Sequence, residues 1–229
     1  GEGFDHFCAQ LGLADALTRR WDSPFDYPGQ ALWFVPRGLP DPGSSDYTLA
    51  VCALAEHILA ASRGRAFMLF TSHRALQTAA GYLQGRIPYP MLVQGDAPRS
   101  ELLERFRALG NGVLLGTSSF WEGVDVRGEA LSCVIIDRLP FPTPDDPVLD
   151  AISERDRQWF RSYSLPRAVI AFKQGFGRLI RTTSDRGVVV VLDRRLVTKP
   201  YGRMFTGSLP DMLKSQRLDN VRRFLAEGA

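Results

Sequence analysis

Two short stretches concentrate the groups that handle phosphate. In Gly116-Thr117-Ser118-Ser119-Phe120-Trp121-Glu122-Gly123-Val124-Asp125, two glycines, three hydroxyls and two carboxylates fall together. Glycine lets a backbone N–H come close to a phosphate. A hydroxyl such as that of Thr117 can hold a nucleic-acid phosphate, and Asp125 can accept from a ribose hydroxyl. The same residues also fit a turn-rich loop anchored by a buried Trp121. The second stretch is Gln174-Gly175-Phe176-Gly177-Arg178-Leu179-Ile180-Arg181. Gln174, Arg178 and Arg181 stand at i, i+4 and i+7, which predicts one face of a helix. Two glycines there cost about 1 kcal/mol each, a cost that goes with close packing or a close ligand. Guanidinium groups grip phosphate oxygens bidentately, and an arginine aimed at a γ-phosphate stabilises the charge that develops on transfer. The competing reading is an arginine-rich solvated face, against which the interleaved Phe176, Leu179 and Ile180 argue. A third group, Thr71-Ser72-His73-Arg74, follows an apolar run and reads as a helix N-terminus open to an anion, or as an ordinary N-cap.

What is missing narrows the chemistry. No GxxxxGK[ST] loop, no adjacent Asp-Glu pair and no GxSxG elbow occurs. The chain therefore cannot by itself cradle the β- and γ-phosphates with Mg²⁺ in the P-loop manner. His6, His57 and His73 are not spaced as metal ligands. Cys8, Cys52 and Cys133 are far apart and odd in number, so no metal, zinc ribbon or iron–sulfur site is expected within the chain. Cys52 and Cys133 sit among apolar residues and read as core, and a reducing cytoplasm is the expected setting.

The elements that must position these groups alternate. Ala31–Val35, Ala66–Thr71, Met91–Gln94, Val113–Thr117, Cys133–Asp137 and Val188–Leu192 are short apolar runs that predict strands. Helical patterns separate most of them: Tyr47–Ser62, His73–Gln84, Ser100–Leu109, Asp146 to about Phe160, and Pro166–Ile180. A last helix is predicted from Pro210 to Glu227. Strands apolar on both faces with helices between them predict an α/β fold, a mostly parallel sheet flanked by helices in three layers, with ligands at the loops after the strands. The 229 residues suffice for one such domain, and 45% hydrophobic with 23% charged residues excludes disorder and coiled coil as the global state. No apolar run is long enough for a membrane span, and Gly1 to Gln10 has no signal-peptide pattern. The net charge of +3 does not by itself argue for nucleic acid. Of the 28 basic residues only Lys173, Lys199 and Lys214 are lysines, a bias that suits planar recognition of phosphates and also follows from a GC-rich genome.

In their order, these loops resemble motifs V (116–125) and VI (174–181) of the second RecA-like domain of a superfamily 2 helicase, with Phe70-Thr71-Ser72 where motif IV falls. Ser23-Pro24-Phe25-Asp26-Tyr27, Arg138-Leu139-Pro140-Phe141, Asp193-Arg194-Arg195-Leu196 and Tyr201-Gly202 followed by Ser208-Leu209-Pro210 are similar to the DinG/YoaA branch, which is related to the XPD helicases. The resemblance runs from Ser23 to Pro210. It implies a single RecA-like domain over residues 1–229, with 1–30 a lead-in and 210–229 a terminal helix.

The resemblance further implies an ATP-dependent DNA helicase moving 5′→3′ on single-stranded DNA, with ATP and Mg²⁺ held mainly by a first RecA-like domain in cis. That domain would also carry the iron–sulfur cluster and the P-loop. The chain would then be a C-terminal portion of a longer protein or half of a split one, inactive as an ATPase alone. Arg178, Arg181 and Gln174 match the catalytic motif VI positions at the ATP phosphates. Gly123, Asp125 and Glu122 match the ATP-binding motif V region, and Thr71, Ser72 and Thr117 match groups on the DNA backbone. A second reading is an inert module that binds single-stranded DNA or a protein. A replication accessory subunit is the partner the resemblance suggests, with the stripe Leu218, Val221, Phe224 and Leu225 as a docking face or simply as core. A small-molecule enzyme is disfavoured, because no convincing nucleophile, base or cofactor loop is present.

Overall fold

A computed structural model of the chain describes residues 4–13, 15–19, 21, 23–117, 120, 130–142 and 146–227. Seven strands form one sheet: β1 (Ala31–Phe34), β2 (Ala66–Leu69), β3 (Met91–Val93), β4 (Val113–Gly116), β5 (Cys133–Ile136), β6 (Gly187–Val191) and β7 (Leu213–Ser215). Their order is β3-β4-β2-β5-β6-β1-β7, and every pairing is parallel. The central β2 aligns Ala66 with both Val113 and Cys133, so the middle strands end level with one another.

Side chains alternate across the sheet, and each face has its own core. Phe67 and Leu69 enter one core, while Ala66, Met68 and Phe70 enter the other. The first is closed by α5 (Arg99–Leu109), through Leu102 and Phe106, and by α7 (Leu165–Phe176), through Ala168 and Phe172. The second is closed by α3 (Tyr47–Ala61), α4 (His73–Leu83) and the last helix, Leu218–Ala226. Burial on both faces is why these strands read as unbroken apolar runs.

Three predicted elements differ. The helix predicted over Pro166–Ile180 stops at Phe176, because Gly175 sits in its last turn and Gly177 caps it. Gly177 N–H closes on Lys173 O at 2.8 Å, and Leu179 N–H then bonds Phe176 O at 3.0 Å in a tighter turn. Gln174, Arg178 and Arg181 therefore do not share a continuous helix face. The segment from Pro210 is not one helix: β7 comes first, pairing Leu32 with Leu213, and the helix begins only at Leu218. Between Arg155 and Leu165 the predicted helix breaks, and a π-type turn, Phe160–Ser164, leads into α7.

Candidate nucleotide and nucleic-acid interfaces

In a parallel sheet each crossover helix carries the chain back from the carboxyl ends of the strands to their amino ends. This places the candidate residues on two opposite edges. Thr71, Ser72 and Thr117 follow β2 and β4 at the carboxyl edge, while Gln174, Arg178 and Arg181 precede β6 at the amino edge. Glu122, Gly123 and Asp125 lie outside the described residues, as do Ser118, Ser119 and Trp121.

At the carboxyl edge, Ser72 is exposed and caps α4, its hydroxyl accepting from Ala75 N–H at 3.2 Å. Thr117 is buried; its N–H and hydroxyl both donate to Gln94 Oε1, at 2.6 and 3.1 Å, tying the exit of β4 to that of β3. Gly116 is needed for packing, since a Cβ there would stand 2.7 Å from the Phe120 ring. Two buried aspartates organise the rest. Asp137, after β5, accepts at Oδ1 from Thr71 N–H (3.2 Å) and Arg138 N–H (2.6 Å), and its carbonyl accepts from the Tyr47 hydroxyl. Asp193, after β6, accepts from Leu139 N–H at 2.9 Å and from the Arg195 guanidinium, at 2.6 Å from Nη2. Burial pushes the Asp137 carboxyl up to about 7, with the charge of Asp193 adding; the Arg138 N–H and charge and the Thr71 N–H oppose it. Burial, followed by the Asp193 and Asp137 charges, holds the Tyr47 phenol well above its ordinary range.

The amino edge is held differently. Asp185 Oδ2 accepts from Arg181 N–H (2.7 Å) and Thr182 N–H (2.8 Å), fixing the main chain of the second arginine. Gln30, just before β1, donates through Nε2 to Thr182 O (3.0 Å) and Asp185 O (2.8 Å). Tyr27 packs on Phe176 with ring centroids 5.9 Å apart, so the lead-in residues brace the end of α7. Gly187 is a close-approach glycine: a Cβ would meet Leu179 Cδ1 at 2.5 Å and Ser132 O at 2.6 Å. Arg178 and Arg181 are half-buried. Gln174 Oε1 is buried and has no hydrogen-bond partner among the described residues.

Asp137, Asp193, Tyr47, Gln30 and Asp185 were not among the sequence candidates. Both aspartates that cap strands had a visible signal, an Asp directly after an apolar run and directly before an arginine. Gln30 and Tyr47 had none, since their partners are remote in sequence, and Asp185 holds its partners through a local turn that no spacing marks. Among the described residues no group of His, Cys, Asp and Glu is arranged to hold a metal ion. Cys52 and Cys133 are buried, the Cys52 thiol pushed up to about 12 by burial and the charges of Asp137 and Glu56. The described residues thus do not fit Mg²⁺ or an iron–sulfur cluster. No helix among the described residues is long and apolar enough to cross a membrane.

The all-parallel sheet of seven strands among the described residues, flanked by helices, is a RecA-like α/β fold. The chain belongs to the helicase C-terminal domain family, whose model matches residues 55–212. It is 45% identical over 225 residues to the ATP-dependent DNA helicase YoaA of Escherichia coli (strain K12), covering 96% of the chain and 35% of that relative. It is 40% identical over 234 residues to the ATP-dependent helicase DinG of Mycobacterium tuberculosis (strain H37Rv), with coverage of 98% and 35%. The 3′-5′ exonuclease DinG of Bacillus subtilis (strain 168) is 35% identical over 231 residues, and 25% of its length is covered. The chain thus spans only 25% to 35% of the length of these relatives. In fold it is similar to a solved XPD helicase (TM-score 0.58, 22% identity, 81% of this chain and 36% of that one). It is also similar to Saccharomyces cerevisiae Dbp5 bound to RNA and ADP BeF3 (TM-score 0.59, 14% identity, 96% and 51%). The matched segment is thus a helicase C-terminal domain similar to that portion of the relatives named YoaA and DinG.

Proposed function

We propose that this chain is the second motor domain of a 5′→3′ DNA helicase, a single RecA-like unit over 1–229 working with a first RecA-like domain in cis. The observation that carries the reading is the amino edge. There a braced turn holds two half-buried arginines, Arg178 and Arg181, just after Gln174 in the chain, and Gln174 Oε1 is buried without a partner among the described residues. An unmatched buried acceptor costs about 1–3 kcal/mol, which a donor arriving from a docked nucleotide or first domain would recover. Arg178 and Arg181 reach the phosphates of ATP bound at the first domain and stabilise the charge that develops on the γ-phosphoryl group. Glu122, Gly123 and Asp125 complete the nucleotide contacts. The first domain supplies the P-loop and Mg²⁺, and an iron–sulfur cluster belongs there as well.

The carboxyl edge takes the single-stranded DNA. The Thr71 side chain and the first main-chain N–H groups of α4, which Ser72 caps, take a phosphate where the helix dipole favours an anion. Thr117 is buried and holds the neighbouring exit of β4 to Gln94. Closing on ATP and reopening after hydrolysis alternates the grip of the two domains and so advances the strand.

The test is steady-state ATPase of this chain, with and without single-stranded DNA, beside the same chain extended upstream to its genomic start. DNA-stimulated turnover by the extended protein alone is the expected result. An extended protein that binds the strand without turnover would instead make this a binding module, with DNA or a replication accessory subunit as its partner.

A further inference from the structure

We propose that Asp137 is a positioning residue for the nucleic-acid edge: its buried carboxylate holds the main chain of Thr71, and so sets where the Thr71-Ser72 loop presents its polar groups. This rests on the reading of that loop as part of the strand track.

The geometry is a clamp. Asp137 is 3% exposed and follows β5 in the middle of the sheet. Its own N–H donates to Leu69 O at 3.1 Å, and its Oδ1 accepts from Thr71 N–H at 3.2 Å. These two bonds bracket Phe70, which is itself buried and tied on the other side by Phe70 N–H to Gly116 O at 2.8 Å. The exit of β2 is therefore fixed from both neighbouring strands up to Thr71. Only beyond Thr71 does the chain turn out to the exposed Ser72 and start α4. A shift at Thr71 would carry the loop and the first turn of α4 with it. Asp137 is in turn fixed through its carbonyl by Tyr47.

The groups facing the carboxylate are Asp193 from the exit of β6, itself paired with Arg195, Arg138 beside it, and Tyr47 and Cys52 from α3. The Arg138 guanidinium lies over the Tyr47 ring, 4.8 Å from its centroid. An ionised carboxylate is a stronger acceptor than a protonated one. With the carboxyl pushed up to about 7, Thr71 is held more tightly above neutrality than below it. Asparagine keeps an acceptor oxygen of the same reach and cannot ionise.

The test uses the full-length protein that carries this chain, in a His73→Gln background that removes the imidazole at the start of α4. A fluorescein-labelled oligo-dT strand is titrated by anisotropy at pH 6 and pH 8. At pH 8, Asp137→Asn is expected to bind within about threefold of its parent. The parent's gain in affinity from pH 6 to pH 8 should exceed that of Asp137→Asn by about fivefold. Selective ¹⁵N-threonine labelling gives a second readout: the Thr71 amide resonance should titrate near neutrality in the parent and stay flat in Asp137→Asn. A Thr71 resonance that does not titrate, or that titrates equally in both proteins, overturns the proposal. So does equal pH dependence of binding when Thr71→Ala itself weakens binding. A titrating Thr71 amide together with wild-type binding by Thr71→Ala overturns the strand-track reading and leaves the Asp137 hold in place.

Discussion

The two edges of the sheet solve the same problem, fixing a polar turn, with different materials. At the carboxyl edge the turns hang on two buried carboxylates, Asp137 and Asp193, with Arg195 closing the second. At the amino edge the arginine turn hangs on Asp185 and on a neutral amide, Gln30, which grips two carbonyls. At the carboxyl edge Thr117 spends its hydroxyl on Gln94, Ser72 caps its own helix, and a group left unmatched among the described residues is a donor, Arg138 Nε. The amino edge leaves an acceptor on Gln174 unmatched. That contrast fits one edge built to hold a flexible polymer on a rigid frame, and another completed only when a second body docks.

The sharpest way to break the contrast is Arg178→Ala in the full-length protein. ATP turnover should fall about a thousandfold while single-strand affinity changes little; equal losses in both would mean the edges do not divide the work. Asp193→Ala should cost about 3 kcal/mol in urea unfolding, because Leu139 N–H and Arg195 lose their shared acceptor. A loss under 1 kcal/mol would place the strength of the carboxyl edge elsewhere. Asp137 gives a signed pH effect. Burial raises its folded value from the ordinary carboxylate range to about 7, so the folded state binds the proton more tightly and stability falls as pH rises from about 4 to about 7. Between pH 5 and pH 8 the wild type should lose on the order of 2–3 kcal/mol relative to Asp137→Asn, read from paired unfolding curves. Parallel curves would remove this carboxylate from the account. The smallest effect is Gln30→Ala, expected to cost about 1 kcal/mol and to weaken ATP use by the full-length protein without altering strand binding. Impaired strand binding instead would couple the two edges directly.

Six of the seven strands were legible because burial on both faces writes an unbroken apolar run, as in Val188-Val189-Val190-Val191. β7 was not, because Leu213 and Lys214 are exposed on the edge of the sheet and carry no apolar signature. Gln174, Arg178 and Arg181 stand out by type and order, but the helical face their spacing predicts is not formed. Spacing alone cannot report that Gly175 and Gly177 end the helix before Arg178. The clamp residues escaped notice for a different reason. Gln30 meets Thr182 and Tyr47 meets Asp137 across most of the fold, and no local pattern records a hydrogen bond between such distant positions.

The sheet order also dictates when its parts can assemble. β2, β3, β4 and β5 pair among themselves and come from one continuous stretch of chain. β1 does not: Ala31 aligns with Gly187 and Leu32 with Leu213, so the strand is synthesised about 150 residues before its neighbours. At about 5–20 residues per second, the apolar Ala31-Leu32-Trp33-Phe34 segment waits about ten seconds or more on the ribosome without a ladder to join. The half of the sheet that holds the candidate strand track can form during synthesis. The half that braces the arginine turn closes only as β1 slots between β6 and β7, and a translation-coupled folding delay should map to that insertion.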